Sequence, residues 1–226
     1  MRKSVKLIAG GVAAAAVVAG GAVGVNAARD TTHPAEVSAA SGARTPATAP
    51  AALAVPSSAS VKIKAQYQKT GYYCVPASGA MSLSTFGIKV SQKTLAKKMG
   101  TTKNGTSGTK ATPVLNKYVK SRGYSYTVVK DVNNSPSTLM KRVSYDIGVL
   151  KKAPTIAVWM EKLPWNKGTS GSRIGHAIVA YGYNKKKGTI TVWDPWKKTG
   201  GKHTISAKTL SKTLQGTGGM RYISKH

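Results

Sequence analysis

Gln68-Lys-Thr-Gly-Tyr-Tyr-Cys74-Val-Pro-Ala-Ser-Gly-Ala80 is the stretch on which the fold turns, and it contains the chain's single cysteine. After Gly71 the residues become small and apolar, and Val75 to Phe86 reads as a helix. Pro76 suits a first helical turn, where a missing N–H has no partner to lose. Cys74 therefore stands at or just before a helix N-terminus. Unpaired N–H groups and the positive end of the helix dipole favour a thiolate there. Gln68, a little upstream, carries an amide N–H of the kind that stabilises a developing oxyanion. A lone cysteine is more often a small buried hydrophobe, so a nucleophilic reading needs partners from elsewhere in the chain.

Upstream of this stretch, Val61, Ile63 and Ala65 alternate with Lys62, Lys64 and Gln66, which predicts a short, half-exposed strand. Residues 28–60 are Ala, Thr, Pro and Ser with few large apolar side chains. They cannot build a core and read as a disordered linker or pro-segment. Arg2, Lys3 and Lys6 precede an apolar run from Leu7 to about Val25, followed by the small-residue site Val25-Asn26-Ala27. This is the pattern of a secretory signal peptide over residues 1–27. The run is short and Gly-rich for a membrane anchor. The expected organisation is thus signal peptide 1–27, linker 28–60 and a folded domain over 61–226. The mature chain is expected outside the cell or on its wall, free of the membrane after cleavage, and monomeric. A single cysteine in an exported chain closes no internal disulfide, so it is an intermolecular link or a reactive thiol.

Downstream, Ser91 caps a second helix with Leu95, Ala96 and Met99 inward and Gly100 as its stop. Thr101 to Lys110 reads as plain loop. Its glycines Gly105 and Gly108 follow no strand and precede no Lys-Ser/Thr pair, so no phosphate loop is indicated. Thr112-Pro113 opens a third helix, Tyr124 to Lys130 is a strand, and Ser135-Pro136 opens an amphipathic helix through Leu139, Val143, Ile147 and Leu150. Pro154 to Met160 reads as a strand, and Glu161 to Arg173 as a turn-rich loop. Gly175 to Tyr183 and Thr189 to Asp194 form a hairpin about Asn184 to Gly188. His203 to Leu214 reads as a loop and a short helix capped by Ser206, and Met220 to Ser224 as a last strand. Helices first and antiparallel strands second define an α+β domain.

The hairpin supplies the partners. His176 begins one of its strands and Asp194 ends the other, so folding back brings them within a few residues of opposite one another. The carboxylate can fix one imidazole nitrogen and leave the other for a thiol. Nucleophile, base and orienter then occur in the order Cys74, His176, Asp194. One cysteine, scattered histidines and few carboxylates give no zinc spacing, and no metal or other cofactor is expected. Lys and Arg number 35 against 6 Asp and Glu, a formal net charge of +29. Such a surface attracts polyanions, including anionic cell-wall polymers. There is no zinc-finger, helix-turn-helix or RNP-like pattern, so specific nucleic-acid recognition is not indicated.

The quoted motifs give a resemblance. From about Gln66 onward the chain resembles papain-like cysteine peptidases of the bacteriocin-processing, double-glycine-leader type, and specifically their free-standing secreted relatives. Gln68 with Tyr72 to Ser78, Gly175 to Tyr183, and Val192-Trp-Asp-Pro195 carry it. The resemblance implies a papain-like fold, with an N-terminal helical part that carries Cys74 packed on a C-terminal antiparallel sheet that carries His176 and Asp194. It implies Cys74 as nucleophile, His176 as general base and acid, Asp194 as orienter and Gln68 as oxyanion donor. The expected reaction is hydrolysis of a peptide or protein substrate through a thioester acyl-enzyme. Val75 departs from the Gly common after the cysteine in that group and narrows the expected groove. The transporter domains of leader-processing members are absent from this sequence, so leader processing is not implied. Three other readings remain open: a peptidoglycan endopeptidase or amidase, a transglutaminase-like acyl transferase, and a non-catalytic cationic wall-binding module.

Overall fold

The computed structural model describes residues 54–166, 173–214, 216 and 218–226. The segment expected to be a signal peptide, and the linker as far as residue 53, lie outside the described residues. A seven-stranded sheet forms the centre, with every pairing antiparallel. Its strands are β1 (Ser58–Ser60), β2 (Tyr124–Val129), β3 (Thr155–Trp159), β4 (Gly175–Asn184), β5 (Thr189–Asp194), β6 (Gly201–Ser206) and β7 (Met220–Lys225). The order across the sheet is β2-β7-β3-β4-β5-β6, with β1 added to β4. The α-helices among the described residues are α1 (Cys74–Ser84), α2 (Gln92–Lys98), α3 (Gly108–Val119), α4 (Pro136–Ser144) and α5 (Ala207–Thr213). This is the α+β architecture expected from the order of helical and strand patterns.

Both faces of the sheet are covered. On one, α1, α2 and α3 bury Leu83, Leu95, Met99 and Leu115 with Tyr126 of β2 and Ile223 of β7. On the other, Leu139, Val143 and Leu210 from α4 and α5 pack on Ile156, Ile178, Ile190 and Val192. The alternation of β5, Ile190 and Val192 inward between half-buried Thr191 and Trp193, is the period of a strand with unequal faces. α1 is buried along most of its length. Its closest approach to α3 depends on Gly79, because a Cβ there would come within 3.1 Å of Leu115 Cδ2.

Several elements differ from expectation. The strand expected at Val61 lies earlier, at Ser58–Ser60, where it pairs with Asn184–Gly182. The alternation holds in burial from Val61 to Lys64 but reverses at exposed Ala65 and half-buried Gln66, and the segment makes no ladder. The third helix starts at Gly108, before the expected Thr112-Pro113, so the end of the presumed plain loop is helical and Pro113 lies inside the helix. Proline was read as a start because its missing N–H suits a first turn. Here the Thr112 hydroxyl donates to the Gly108 carbonyl at 3.3 Å, and the carbonyl that loses its helical donor to Pro113 is that of Thr109. The amphipathic helix at Pro136 ends in a π-helical turn, Tyr145–Val149. His203 lies in β6, not in a loop, and Ser206 caps α5 as expected, accepting from the Thr209 N–H.

Candidate active site

Cys74 is the first residue of α1 and is 8% exposed. No side chain caps the first turn of α1, and no acidic residue stands in it. The N–H groups and dipole at this end therefore face the sulfur without competition. One turn later Ser78 donates from its hydroxyl to the Ala177 carbonyl at 2.9 Å. This buried tether fixes the head of α1 against β4 beside His176.

His176 is the second residue of β4 and Asp194 the last of β5. Val179 stands opposite Trp193, so Asp194 falls next to Ile178 and shares a face with His176. That register depends on an irregularity between Ala180 and Gly182. Nearer the turn, Tyr183 is opposite Ile190 and Gly182 opposite Thr191. Carried through without the extra residue, that register would set Asp194 against Val179 and turn its side chain to the wrong face. The bulged residue is Tyr181, whose carbonyl accepts from the Val61 N–H at 2.8 Å. Val61 thus belongs to the bulge and not to a strand of its own.

The result is a buried His176 Nε2–Asp194 Oδ1 bond of 2.7 Å. Cys74 lies near enough to the imidazole to help raise its pKa, and both side chains line one cleft. Nε2 is engaged by Asp194, so Nδ1 is the ring nitrogen left for a thiol. Burial alone would push His176 down, and it is the largest single influence. The hydrogen bonds and charges of Asp194 and Cys74 together outweigh it and hold the imidazolium up to about 9. Asp194 is fully buried, and burial pushes its carboxyl up. Three donors overcome that and hold it below its ordinary value: His176, the Trp165 indole N–H at 2.8 Å and the Trp196 backbone N–H at 2.8 Å.

Gln68 is 3% exposed and lies beside the same strand end, its backbone N–H donating to the Pro195 carbonyl at 2.8 Å. Its side-chain amide donates to the Thr70 carbonyl at 2.7 Å. One of its two amide hydrogens is committed within its own loop, and one remains. Gln92, at the start of α2, holds this loop by donating to the Gln66 side chain and the Tyr67 carbonyl and accepting from the Lys69 N–H.

The structure thus brings His176 and Asp194 into contact and sets Cys74 in the same cleft as His176, while Gln68 is tied by its backbone to Pro195, next to Asp194, and its side chain turns to Thr70. Sequence reasoning missed Trp165, Ser78 and Gln92. Trp165 sat in a segment read as turn, and its ring stacks on His203 at 3.9 Å between centroids. A tryptophan in an otherwise polar loop was the available signal. A cleft of about 1070 Å³ opens over Cys74 and His176, and Val75 lines it. Among the described residues no cluster of His, Cys, Asp and Glu has the makings of a metal site.

A helix-borne cysteine packed on a sheet that carries a His–Asp pair defines a protein of the papain-like class. The Peptidase_C39-like family model matches residues 60–221, and the chain belongs to that family. Two solved structures are similar in fold. The peptidase domain of Streptococcus ComA, a bifunctional ABC transporter involved in a quorum-sensing pathway, shares 19% identity and a TM-score of 0.50, covering 73% of this chain and 100% of that one. A C39-like peptidase from Bacillus anthracis shares 15% identity and a TM-score of 0.54, covering 74% of this chain and 98% of that one. No curated protein matches the sequence significantly.

Proposed function

We propose that this chain is a secreted cysteine peptidase that hydrolyses peptide bonds, with Cys74, His176 and Asp194 as its triad. The observation that carries the reading is the buried His176–Asp194 bond, with Cys74 at a helix start in the same cleft as His176. The Cys74 thiolate attacks the carbonyl carbon, and the oxygen takes the negative charge. The Cys74 backbone N–H and the remaining Gln68 amide hydrogen stabilise that oxyanion. The His176 imidazolium gives its proton to the leaving nitrogen, the C–N bond breaks, and a thioester remains on Sγ. His176, now neutral, takes a proton from water as the oxygen attacks the thioester, and the acid leaves. Asp194 holds the ring through both halves. An imidazolium that persists to about pH 9 is in the state needed to protonate an amine at neutral pH.

In this reading residues 1–27 direct export and are removed, and the basic surface holds the mature chain near anionic wall polymers. The test is active-site labelling of the purified mature chain with a thiol-directed acyl probe, alongside turnover of a mixed peptide library. Labelling and turnover are expected for the wild type, and for neither Cys74→Ala nor His176→Ala. Turnover that survives Cys74→Ala would remove the nucleophile assignment.

A further inference from the structure

The cleft over Cys74 holds a charged feature that the hydrolytic steps do not use. Lys117, Lys120, Lys130 and Arg221 line it, and no Asp or Glu does among the described residues. Arg221, in β7, is only 4% exposed. A buried guanidinium is strongly unfavourable unless an anion answers it, yet no carboxylate of the described residues pairs with this one. Its Nε donates to Thr112 Oγ1 at 3.2 Å and its Nη1 to Thr155 Oγ1 at 3.4 Å. Of five N–H donors, the rest find no hydrogen-bond partner among the described residues, including both on Nη2.

Nη2 lies over Gly108, where a Cβ would stand 3.6 Å from it. Gly108 is the first residue of α3, whose opening turn has no side-chain cap and no acidic residue. Such a helix end favours an anion. Gly108, Thr109 and Thr112 line the same cleft as Cys74 and His176, and Arg221 lies within electrostatic reach of Cys74. The helix end and the unanswered guanidinium converge from different elements on one spot.

We propose that Arg221 and the open N-terminus of α3 form a carboxylate-binding subsite, so that the peptides taken by this cleft carry an acidic group close to the bond presented to Cys74. This rests on the reading of the cleft as a peptidase site. A guanidinium matches a carboxylate with two parallel N–H bonds, and the α3 N–H groups answer the same charge. The source of the carboxylate is an Asp or Glu side chain or the end of a chain.

Two reagents of one reaction test it. Iodoacetate and iodoacetamide both form an Sγ–CH2 bond to Cys74 and expel iodide, and they differ in a carboxylate against an amide. Their rates on the full mature chain, followed by mass spectrometry, give a ratio to compare with glutathione at the same pH and salt. The wild-type ratio should exceed that of glutathione about tenfold or more, the equivalent of one charge-assisted hydrogen bond. Arg221→Gln should lower it sharply, and Arg221→Lys should keep part of it. Should Arg221→Gln fail to fold, Gly108→Asp serves instead. An acid is favourable at a helix start, and its carboxylate would fill the subsite and lower the ratio.

A wild-type ratio equal to that of glutathione, or one that survives both Arg221→Gln and Gly108→Asp, overturns the subsite. So does a parallel fall of both rates, which would make Arg221 a structural group. Failure of the peptidase reading looks different: iodoacetamide would react no faster than with glutathione, and His176→Ala would not slow it. Protection of Cys74 separates the sources. Acetyl-Ala-Ala-Glu-Ala-amide should protect better than its Gln counterpart if a side chain is read. The Gln peptide with a free C-terminal carboxylate should do so if a chain end is read. Protection no better than the neutral amide by either one overturns the proposal.

Discussion

Asp194 and Asp146 are both fully buried, and the protein treats them in opposite ways. Asp194, at the end of β5, accepts from His176, Trp165 and the Trp196 backbone, and its carboxyl is held below the ordinary range. Among the described residues Asp146, in the π-helical turn after α4, accepts only from the Ile223 N–H at 3.2 Å, and its Oδ1 has no partner. Burial pushes it well above the ordinary range, against the smaller opposing pulls of Ile223 and Arg142. Its surroundings oppose ionisation where those of Asp194 favour it. Depth does not decide ionisation; the number and charge of the donors facing the oxygens do. The end of β5 gathers its polar groups on one carboxylate, and the π-helical turn leaves its acid nearly alone.

Among changes at the two carboxylates and their donors, the largest effect on turnover should come from Asp194→Asn. Asn accepts from His176 through its carbonyl, but its amide then meets the Trp165 N–H donor to donor. With the imidazole no longer held by a charge, kcat should fall on the order of 10²-fold or more. The alkaline limb of the pH profile should move down from about 9 toward an ordinary histidine. Full activity with an unmoved limb would take the orienting role away from Asp194.

Trp165→Phe should act more weakly. It keeps a ring for stacking on His203 and removes one donor to Asp194 Oδ2. A hydrogen bond to a buried charge is worth about 1.5–3 kcal/mol, so a loss of that order is expected in urea unfolding at pH 7. The depressed Asp194 carboxyl sets the sign. Its contribution is present above the unfolded value of about 3.9 and is lost as pH falls through the folded one. The gap between wild type and Trp165→Phe should therefore narrow in acid. A gap that stays constant with pH would make Trp165 a packing residue only.

Asp146→Asn should leave turnover unchanged, the smallest effect of the three. A raised folded pKa gives stability that is present below the unfolded value and lost as pH rises through the folded one. From about pH 4 upward the wild type should lose stability relative to Asp146→Asn by up to about 1.4 kcal/mol per pH unit. Urea midpoints of both chains across that range measure it. A wild type that gains on the variant with rising pH would mean that Asp146 is charged, and the contrast with Asp194 would collapse.

Much of this was legible in the chain. Cys74 lies at the head of α1 because small apolar residues follow it and Pro76 suits a first turn. The hairpin from Gly175 to Asp194 was readable because alternation and turn residues coincide. Ser91 and Ser206 cap as their neighbours suggest, accepting from the Thr94 and Thr209 N–H groups. The start of α3 was misplaced because Pro113 is a strong local signal and the tertiary setting overrode it. Trp165, Ser78, Gln92 and Arg221 could not be assigned, since each acts on a residue distant in sequence.

The sequence by itself determined which residue types stand at a helix start and at two strand ends, because those depend on local backbone preference and side-chain period. It also carried the family motifs that place the chain among C39-like peptidases. Only the tertiary structure decided that His176 and Asp194 share a face. That outcome depends on one extra residue at Tyr181, held by a backbone bond from Val61, and a one-residue change of register reverses every side chain beyond it. It decided as well that Arg221 is buried beside the start of α3 with no counter-ion among the described residues. Strand pairing and desolvation are set by parts of the chain far apart in sequence, and no local pattern encodes them.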